Sequence, residues 1–398
     1  MVSDHNLPEL EAILSYQPKT IILIATKDYF AAAERLKKEV IKSLGKSEKS
    51  VVLADTSGLT GEELSNSQQW VKNTLVSLLE QHEAPYFLNL TGGTKAMAIA
   101  LLYGYNWAEC HYKAFGGKEI ERFVIKEQQP VVLTCQAPPT KPVTIQQAVG
   151  LYCETQNLTN KLPSEKEQHL AQKLWDALDQ QDVGIHALFN ALDKIWSQQR
   201  NEKKWQQDQV TLEWSEFNDL ELVKPWLERF AALDKQSIEI QEAGVVLPGN
   251  RRARSEQTLQ AFKLKGWIAG GWLEDIVYHW LADKIPADQL VLNLQTQSND
   301  DASSQREADI LLLHKGKTWV MEIKADLPPG QKLPDLENQL SGGARRYGKA
   351  QKILFIGPEL KHKLEKDGRL EGFKGRCKGN QVTLCYNKAG LFETLKIQ

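Results

Sequence analysis

The stretch ADILLLHKGKTWVMEIKAD, residues 308–326, predicts a β-hairpin, because two apolar runs flank the turn pair Lys315-Gly316. A two-residue turn at this point sets the pairing of the strands, and counting back from it places Asp309 opposite Glu322. Facing carboxylates lie about 5 Å apart at Cβ and repel each other unless a cation separates them. The hairpin is therefore a candidate divalent-metal site, with the solvated face of an edge hairpin as the alternative.

The length and composition of the chain are typical of a globular protein with two or three domains. It has 398 residues and a mass of 45.0 kDa, with 41% hydrophobic and 25% charged residues. No apolar stretch is long enough to span a bilayer, and the N-terminus lacks the basic segment of a signal peptide, so we expect a cytoplasmic protein without membrane contact. Five cysteines without a CxxC pair disfavour structural zinc and a disulfide framework, and indicate inert thiols. The net charge of −2 requires a local basic surface for any nucleic-acid binding.

Residues 1–145 alternate between strand and helix signals. This alternation predicts a parallel, doubly wound α/β sheet. The predicted strands lie at residues 20–25, 50–54 and 86–90, and the predicted helices at residues 29–44, 63–81 and 96–103.

The loop TGGTK, residues 91–95, lies at one of these strand-to-helix turns, where open α/β sheets build ligand crevices. Its glycines let backbone N–H groups approach a ligand, the helix start carries partial positive charge, and Lys95 adds a cation. The loop therefore favours phosphate groups, although an ordinary tight turn has the same composition. It matches neither GxxxxGK[ST] nor GxGxxG, which disfavours ATP and NAD as ligands.

The motif NLTGGTK, residues 89–95, resembles the ligand loop of CRISPR-associated Rossmann-fold (CARF) sensor domains. The resemblance implies a homodimer that binds a cyclic oligoadenylate across its two-fold axis. It assigns the following motif residues to the ligand: Asn89, Thr91, Gly92, Gly93, Thr94 and Lys95. Thr26, Lys27 and Asp55 are assigned only by their position after the first two predicted strands, with plain loop surface as the alternative.

Clustered prolines near residue 140 indicate a linker, so we place a domain boundary near residue 145. Residues 146–260 are then predicted as a helical connector, with helices at residues 164–180, 185–200 and 220–233. Ser164 and Glu167 match a capping box. The frequent tryptophans of this segment are expected in its core, and the basic cluster at residues 250–254 fits either phosphate contact or a solvated loop.

Residues 261–398 predict a second α/β domain, beginning with a helix at residues 272–284. Glu274 borders the apolar stripe of this helix, where an acid is costly unless it is paired or metal-bound, so it is a better functional candidate than Asp275. Stabilisation of the helix dipole is the alternative role for Glu274. The remaining predictions are a strand at 289–294, the hairpin, a helix to about residue 347, and then a strand, a helix and a strand at 351–357, 359–366 and 381–386.

Glu274, Asp309 and the tripeptide Glu322-Ile323-Lys324 resemble the PD-(D/E)xK signature of restriction-endonuclease-like nucleases, with Ala308 where the signature has proline. Phosphodiester cleavage by such a site uses Mg²⁺ or Mn²⁺, for which we expect Asp309, Glu322, the Ile323 carbonyl and Glu274 as ligands. Lys324, about 6.6 Å along the strand from Glu322, would orient water or stabilise the transition state. Weaker candidates for holding a substrate backbone, or for a solvated helix face, are Gln339, Arg345, Arg346 and Tyr347.

The expected fold class is α/β, with an N-terminal Rossmann-like CARF domain (1–145), a helical connector (146–260) and a C-terminal restriction-endonuclease-like α/β domain (261–398). This arrangement resembles type III CRISPR ancillary nucleases. The resemblance implies antiviral cleavage of single-stranded DNA and RNA, and nicking of supercoiled DNA, upon activation by cyclic oligoadenylate, with cyclic tetra-adenylate favoured.

The sequence disfavours two alternatives to this function. A ligand-responsive nucleic-acid-binding regulator without catalysis is disfavoured because facing acids would repel phosphate. A HEPN-type ribonuclease would need an arginine followed four to six residues later by histidine, which the sequence lacks.

Overall fold

The computed structural model has mixed sheets and helices throughout, in agreement with the predicted α/β class. It describes residues 1–113, 119–133, 141–157, 163–201, 209–217, 219–233, 238–248, 266–297, 305–327, 332–344 and 347–398. The chain divides into two units. One unit comprises Met1–Thr159, Ile285–Val320 and Ser341–Lys352, and the other comprises Asn160–Lys284, Met321–Leu340 and Ile353–Gln398.

The N-terminal strands and helices lie within a few residues of their predicted positions, and the structure adds one helix before the first strand. In chain order the elements are α1 (Leu7–Tyr16), β1 (Ile21–Leu23), α2 (Phe30–Leu44), β2 (Val51–Leu53), α3 (Leu64–Trp70), α4 (Val76–Leu79), β3 (Phe87–Asn89) and α5 (Lys95–Gly104). A π-helical turn, Val71–Leu75, joins α3 to α4, so the helix predicted at 63–81 is continuous but irregular.

The N-terminal strands form the predicted parallel pairs, to which the structure adds antiparallel strands that were not predicted. β1 and β2 form a two-stranded parallel pair, whereas β3 is parallel to β4 (Glu109–Tyr112) and continues into antiparallel β5 (Glu121–Lys126) and β6 (Gln129–Val132). The N-terminus connects these two groups, because Val2 donates its N–H to Ile24 O at 2.8 Å and the Met1 amino group donates to Asn89 O at 3.3 Å. These additional pairings join segments that are distant in the chain, which local sequence patterns do not predict.

Helix α5 packs closely against the π-helical turn, because the backbone of Gly104 lies next to the Val71 side chain. Met97, Ala100 and Leu101 recur at helical spacing on its buried face and join the core that includes Val71. A side-chain carbon added at Gly104 would lie 2.6 Å from Val71 Cγ1, so only glycine permits this packing. The start of α5, which carries the TGGTK loop, is therefore anchored to a buried core.

The middle of the chain is not purely helical, which corrects the predicted connector. Its elements are α6 (Ile145–Gly150), β7 (Glu154–Asn157), α7 (Glu165–Asp179), α8 (Val183–Asn201), β8 (Gln209–Glu213), α9 (Leu220–Leu233), β9 (Glu239–Ile240) and β10 (Gly244–Pro248). β8, β10 and β9 form a three-stranded antiparallel sheet. The capping box of Ser164 and Glu167 is confirmed at the start of α7, and Trp175 and Trp226 are buried, as expected for core residues. Residues 250–254 lie outside the described residues.

The C-terminal part contains the predicted order of elements and adds two helices. After a π-helical turn, Trp267–Gly271, the elements are α10 (Trp272–Ala282), β11 (Leu290–Gln297), β12 (Gln305–His314), β13 (Lys317–Lys324), α11 (Leu333–Ala344), β14 (Gln351–Ile356), α12 (Pro358–Lys366), α13 (Leu370–Gly379), β15 (Val382–Cys385) and α14 (Lys388–Leu395). Every helix within the described ranges is too short or too polar to cross a membrane.

A six-stranded sheet has the order β15-β14-β13-β12-β11-β7. The predicted hairpin turn is confirmed, because Lys315 and Gly316 both adopt positive φ, at 51° and 69°, as type I′ turns require. Strand β7 pairs with β11, which the sequence did not predict.

The described cysteines are buried, free thiols, namely Cys110, Cys153, Cys377 and Cys385. Burial raises the pKa of Cys110 to about 11 and that of Cys377 to about 12, so both thiols stay protonated at neutral pH. This agrees with the prediction of inert thiols. Cys135 lies outside the described residues.

Candidate functional site

A cavity of about 690 Å³ opens where β1 and β2 end, and three of its lining residues are the predicted ligand residues Thr26, Lys27 and Asp55. Thr26 is buried at the wall, whereas the Lys27 and Asp55 side chains are exposed. The Ser57 N–H donates to the Asp55 carboxylate at 2.9 Å and lowers its pKa. The cavity lining therefore includes one cation, Lys27, and two acids, Asp28 and the firmly anionic Asp55.

The TGGTK loop adjoins this cavity, and internal hydrogen bonds fix its backbone conformation. The Thr91 N–H donates to Asn89 Oδ1 at 2.9 Å, and the Thr94 hydroxyl accepts from the Met97 N–H at 3.2 Å, which caps α5. Gly93 adopts φ +82°, a conformation that L residues with side chains rarely take. Lys95, the first residue of α5, is exposed. A glycine turn, a helix start and a cation thus occur together, as is typical of anion sites.

Gly61 connects the loop to the cavity. The Thr94 hydroxyl donates to the Gly61 carbonyl, and a side-chain carbon at Gly61 would lie 2.7 Å from Thr26 Cγ2. Thr60, the preceding residue, lines the cavity. The structure therefore brings the weaker predicted residue Thr26 and the motif residue Thr94 to one place, although they are far apart in sequence.

A buried acid lies directly beneath the loop and was missed by sequence reasoning. A side-chain carbon at Gly92 would lie 2.5 Å from Glu9 Oε1 and 2.6 Å from Met1 O. Glu9 is 4% exposed, and burial raises its pKa to about 7, with partial opposition from the Met1 amino group. Gly92 is therefore required by packing, which the composition of the motif alone did not indicate.

Lys113 is a second residue that sequence reasoning missed. Its backbone N–H donates to Thr91 Oγ1 at 3.0 Å, and its buried ammonium pairs with Glu11 at 2.5 Å. Lys113 follows β4, which is parallel to β3, so both strands end at the same edge of the sheet. Recognition of β4 as a strand would have drawn attention to this lysine.

In the C-terminal region, Glu322 and Lys324 form an ion pair. Their Oε1 and Nζ atoms lie 2.7 Å apart, with the side chains 16% and 22% exposed. The predicted same-face arrangement of the ExK motif is therefore present. Ile323 between them is buried, as the alternation of a strand requires.

Glu274 lies half-buried in the first turn of α10, close to the end of β13. A side-chain carbon added at Gly357 would lie 3.1 Å from Leu273 Cδ2 and 3.3 Å from Ala325 Cα, so the helix start and the residue that follows Lys324 both lie beside Gly357. The neighbouring Asp275 accepts a hydrogen bond from the Trp267 indole at 2.6 Å, which gives it a structural partner.

Asp309 lies in β12 at an irregularity of the sheet. Among the described pairs, the ladder passes from Leu292↔Ile310 to Leu294↔Ala308 without pairing Asn293 with Asp309. Asn293 adopts φ 54°, in the left-handed region. Such local irregularities re-aim side chains and occur frequently at functional sites.

The expected metal site and the expected substrate-holding residues can each be compared with the structure. Within the described residues, no group of three or more His, Cys, Asp or Glu side chains is arranged to hold a metal ion. Tyr347 is buried and hydrogen-bonded to Thr296 at 3.3 Å, so the suggestion that it holds a substrate backbone is wrong. Gln339 is exposed, and Arg345 and Arg346 lie outside the described residues.

Comparisons with known proteins agree with this architecture. Residues 1–134 match the family model described as the Card1 CARF domain. Two solved structures share the fold over nearly the whole chain. Can2 from Sulfobacillus thermosulfidooxidans in complex with cyclic tetra-adenylate has a TM-score of 0.64 at 18% identity, covering 99% of this chain and 96% of that chain. Protein VC1899 from Vibrio cholerae has a TM-score of 0.67 at 14% identity, with the same coverage of both chains.

At such low identities the likeness concerns the fold alone. A comparison with curated protein sequences finds no significant match.

Proposed function

We propose that the N-terminal domain binds a cyclic oligoadenylate, with cyclic tetra-adenylate as the preferred ring, in a homodimer. The observation that carries this proposal is the junction at Gly61 of a cavity with the TGGTK loop. Both features lie inside the segment that matches the CARF family model. The shared fold of Can2, whose structure contains cyclic tetra-adenylate, supports the choice of ring.

The chemistry of the loop suits such a ligand. A cyclic oligoadenylate carries one negative charge for each linking phosphate, and the loop supplies N–H donors and the start of α5 to meet it. Lys95 adds a full charge, and Lys27 adds another from the cavity. Asn89, Thr91 and Thr94 hold the loop in shape through their hydrogen bonds. Little backbone reorganisation is then needed upon binding.

We propose further that the hairpin is a metal-dependent nuclease centre. The confirmed two-residue turn supports this, because regular pairing continued from it along β12 and β13 would bring Asp309 opposite Glu322. The donor set consists of two carboxylates and the Ile323 carbonyl, which are hard oxygen ligands suited to Mg²⁺ or Mn²⁺. Such a metal, when bound, lowers the pKa of water and offsets charge on a phosphate.

The residues of the chain have separate roles in this proposal. Asp309 and Glu322 hold the cation, and Glu274 contributes directly or through water from the start of α10. Lys324, now paired with Glu322, orients the attacking water or stabilises charge on the phosphate. Binding of the cyclic oligoadenylate would activate this centre toward single-stranded DNA and RNA, or toward nicking of supercoiled DNA, in cytoplasmic antiviral defence.

A cleavage assay tests both halves of the proposal. Purified protein is incubated with single-stranded DNA, RNA and supercoiled plasmid, with and without cyclic tetra-adenylate or cyclic hexa-adenylate, in Mg²⁺, Mn²⁺ or a chelator. We expect cleavage only when activator and metal are both present. Cleavage without the activator would contradict the gating, and cleavage in chelator would contradict the metal requirement.

A regulator that binds nucleic acid without cutting is the second candidate function. The Glu322–Lys324 ion pair favours it, because a lysine at 2.7 Å already neutralises one of the two acids. It predicts ligand-dependent shifts in nucleic-acid affinity with no product in any metal. The same assay, read alongside nucleic-acid binding, separates the two functions.

A further inference from the structure

Phe30 is an exposed aromatic residue at the edge of the N-terminal cavity. It is the first residue of α2, it lines the cavity together with Lys27 and Asp55, and it is 47% exposed. Exposure of a large apolar ring to water is unfavourable. A ring held at the wall of a polar cavity therefore favours a ligand that has a flat apolar face.

The charges around the cavity indicate which part of a nucleotide each region receives. The anionic Asp55 carboxylate repels phosphate but accepts hydrogen bonds from amino or hydroxyl groups. The TGGTK loop, joined to the cavity at Gly61, offers the start of α5 and the exposed Lys95 cation instead. Phosphates are therefore favoured at the loop, and nucleosides are favoured in the cavity.

We propose that Phe30 stacks on an adenine base of the ligand and that Asp55 accepts a hydrogen bond from the same nucleoside. This inference rests on the proposed binding of cyclic oligoadenylate and identifies the residues that recognise its bases. Stacking platforms accept any π-face, and purines offer the larger one. Phe30 thereby becomes a specificity-determining residue of the N-terminal domain.

Titration calorimetry on the full-length protein with cyclic tetra-adenylate tests the stacking role. We expect Phe30→Leu to weaken binding by about 5- to 150-fold, the range for loss of one stacked base, and Phe30→Trp to retain it. The matched control is Phe87→Leu, because Phe87 is 53% exposed in the same domain but does not line the cavity. Equal affinity of Phe30→Leu and the unaltered protein would overturn the proposal, as would equal losses in both leucine variants.

A second ligand distinguishes base recognition from a general structural effect. Cyclic tetra-uridylate carries the same phosphates with a smaller ring system, so Phe30→Leu should lose more affinity for cyclic tetra-adenylate than for cyclic tetra-uridylate. Losses of the same size for both rings would overturn base stacking. If light scattering shows that Phe30→Leu converts a dimer to a monomer, the Phe30 side chain contacts the other subunit. That result would also overturn the stacking proposal.

Asp55→Asn tests the role of Asp55, because the direction in which ligand affinity changes depends on what Asp55 faces. Asparagine still accepts from the Ser57 N–H but is neutral, so it should weaken binding if Asp55 faces a nucleoside donor. Tighter binding would show that position 55 faces phosphate and would overturn that part of the proposal. If the unaltered protein binds no cyclic oligoadenylate, the proposed function itself fails and this inference fails with it. If it binds and Phe30→Leu binds equally well, only the inference fails.

Discussion

The TGGTK loop and the hairpin at residues 308–326 contrast in what builds them. The loop owes its shape to backbone, because Gly92 packs against Glu9 and Met1, and its proposed ligand is met largely by N–H groups. The hairpin owes its proposed function to charged side chains such as Glu322 and Lys324. A site built from backbone is damaged by added bulk, whereas a site built from charges is damaged by neutralisation. The two regions should therefore be sensitive to opposite kinds of substitution.

The largest expected effect is loss of cleavage in Glu322→Gln, which keeps the shape of the side chain and removes its charge. Loss of a residue that merely supports a metal ligand costs about 10- to 100-fold, so loss of a ligand itself should lower the cleavage rate by more than about 100-fold. Binding of cyclic tetra-adenylate should be unchanged. Cleavage rates with excess Mn²⁺ test this, with Glu371→Gln, at an exposed acid of α13 outside the hairpin, as the control.

Metal-dependent stability sharpens the same prediction. Mn²⁺ should raise the Tm of the unaltered protein and of Glu371→Gln, but not that of Glu322→Gln. An equal rise in all three proteins would contradict a metal site at Glu322.

The second effect concerns the acid beneath the loop. Burial raises the pKa of Glu9 from 4.5 to about 7, so the folded state retains a proton that the unfolded state releases. Stability should therefore fall as pH rises from about 4.5 to about 7. Glu9→Gln should match the unaltered protein near pH 4.5 and exceed it by about 2–3 kcal/mol above pH 7.

Urea unfolding between pH 4.5 and pH 8 measures this difference. Glu63→Gln, at an exposed acid of the same domain, is the control and should show no such divergence. Parallel stability curves for Glu9→Gln and the unaltered protein would show that Glu9 does not titrate in this range.

Gly92→Ala tests the sensitivity of the loop to bulk. The added carbon would meet Glu9 Oε1 at 2.5 Å and Met1 O at 2.6 Å, so the loop must shift. Overpacking costs about 1–3 kcal/mol, and we expect ligand affinity to fall by about 10-fold or more. Gly372→Ala is the control, because no atom lies within 4 Å of its added carbon and alanine favours a helix. Unchanged affinity in Gly92→Ala would mean that the ligand does not contact this loop.

The smallest expected effect is that of Lys95→Met, which removes one exposed charge from the loop. Because exposed charge pairs are screened by salt, affinity for cyclic tetra-adenylate should fall by only about 5-fold. The salt dependence of binding should also become shallower. Binding measured at several salt concentrations checks both effects, with Lys49→Met, at an exposed lysine before β2, as the control. The same salt dependence in Lys95→Met and the unaltered protein would place the phosphates elsewhere.

Local patterns predicted much of the fold and part of the candidate site. Helix α9 lies at its predicted residues, the Ser164 capping box is present, and the turn Lys315-Gly316 has the expected φ angles. Each depends on a few neighbouring residues. Short strands such as β4, β8 and β10 were missed, because four or five residues carry too little alternation to be distinguished from loops.

Local sequence patterns did not predict all of the strand pairings or all of the buried side chains. The predicted parallel pairing is present between β1 and β2 and between β3 and β4, but the bond from Val2 to the chain after β1 was not predicted. The helix predicted to carry a substrate contact at Tyr347 ends earlier, and Tyr347 is buried against Thr296. Such outcomes depend on which distant segments meet.

The sequence by itself determined the TGGTK loop, the two-residue hairpin turn and the ExK alternation, because glycine conformations, turn preferences and strand periodicity act within a few residues. Only the tertiary structure decided that Phe30 and Asp55 line one cavity, that Thr94 reaches Gly61, and that Glu9 lies beneath Gly92. These relations arise from the exclusion of water between segments far apart in the chain. Their energies depend on the packed environment, which no local pattern specifies.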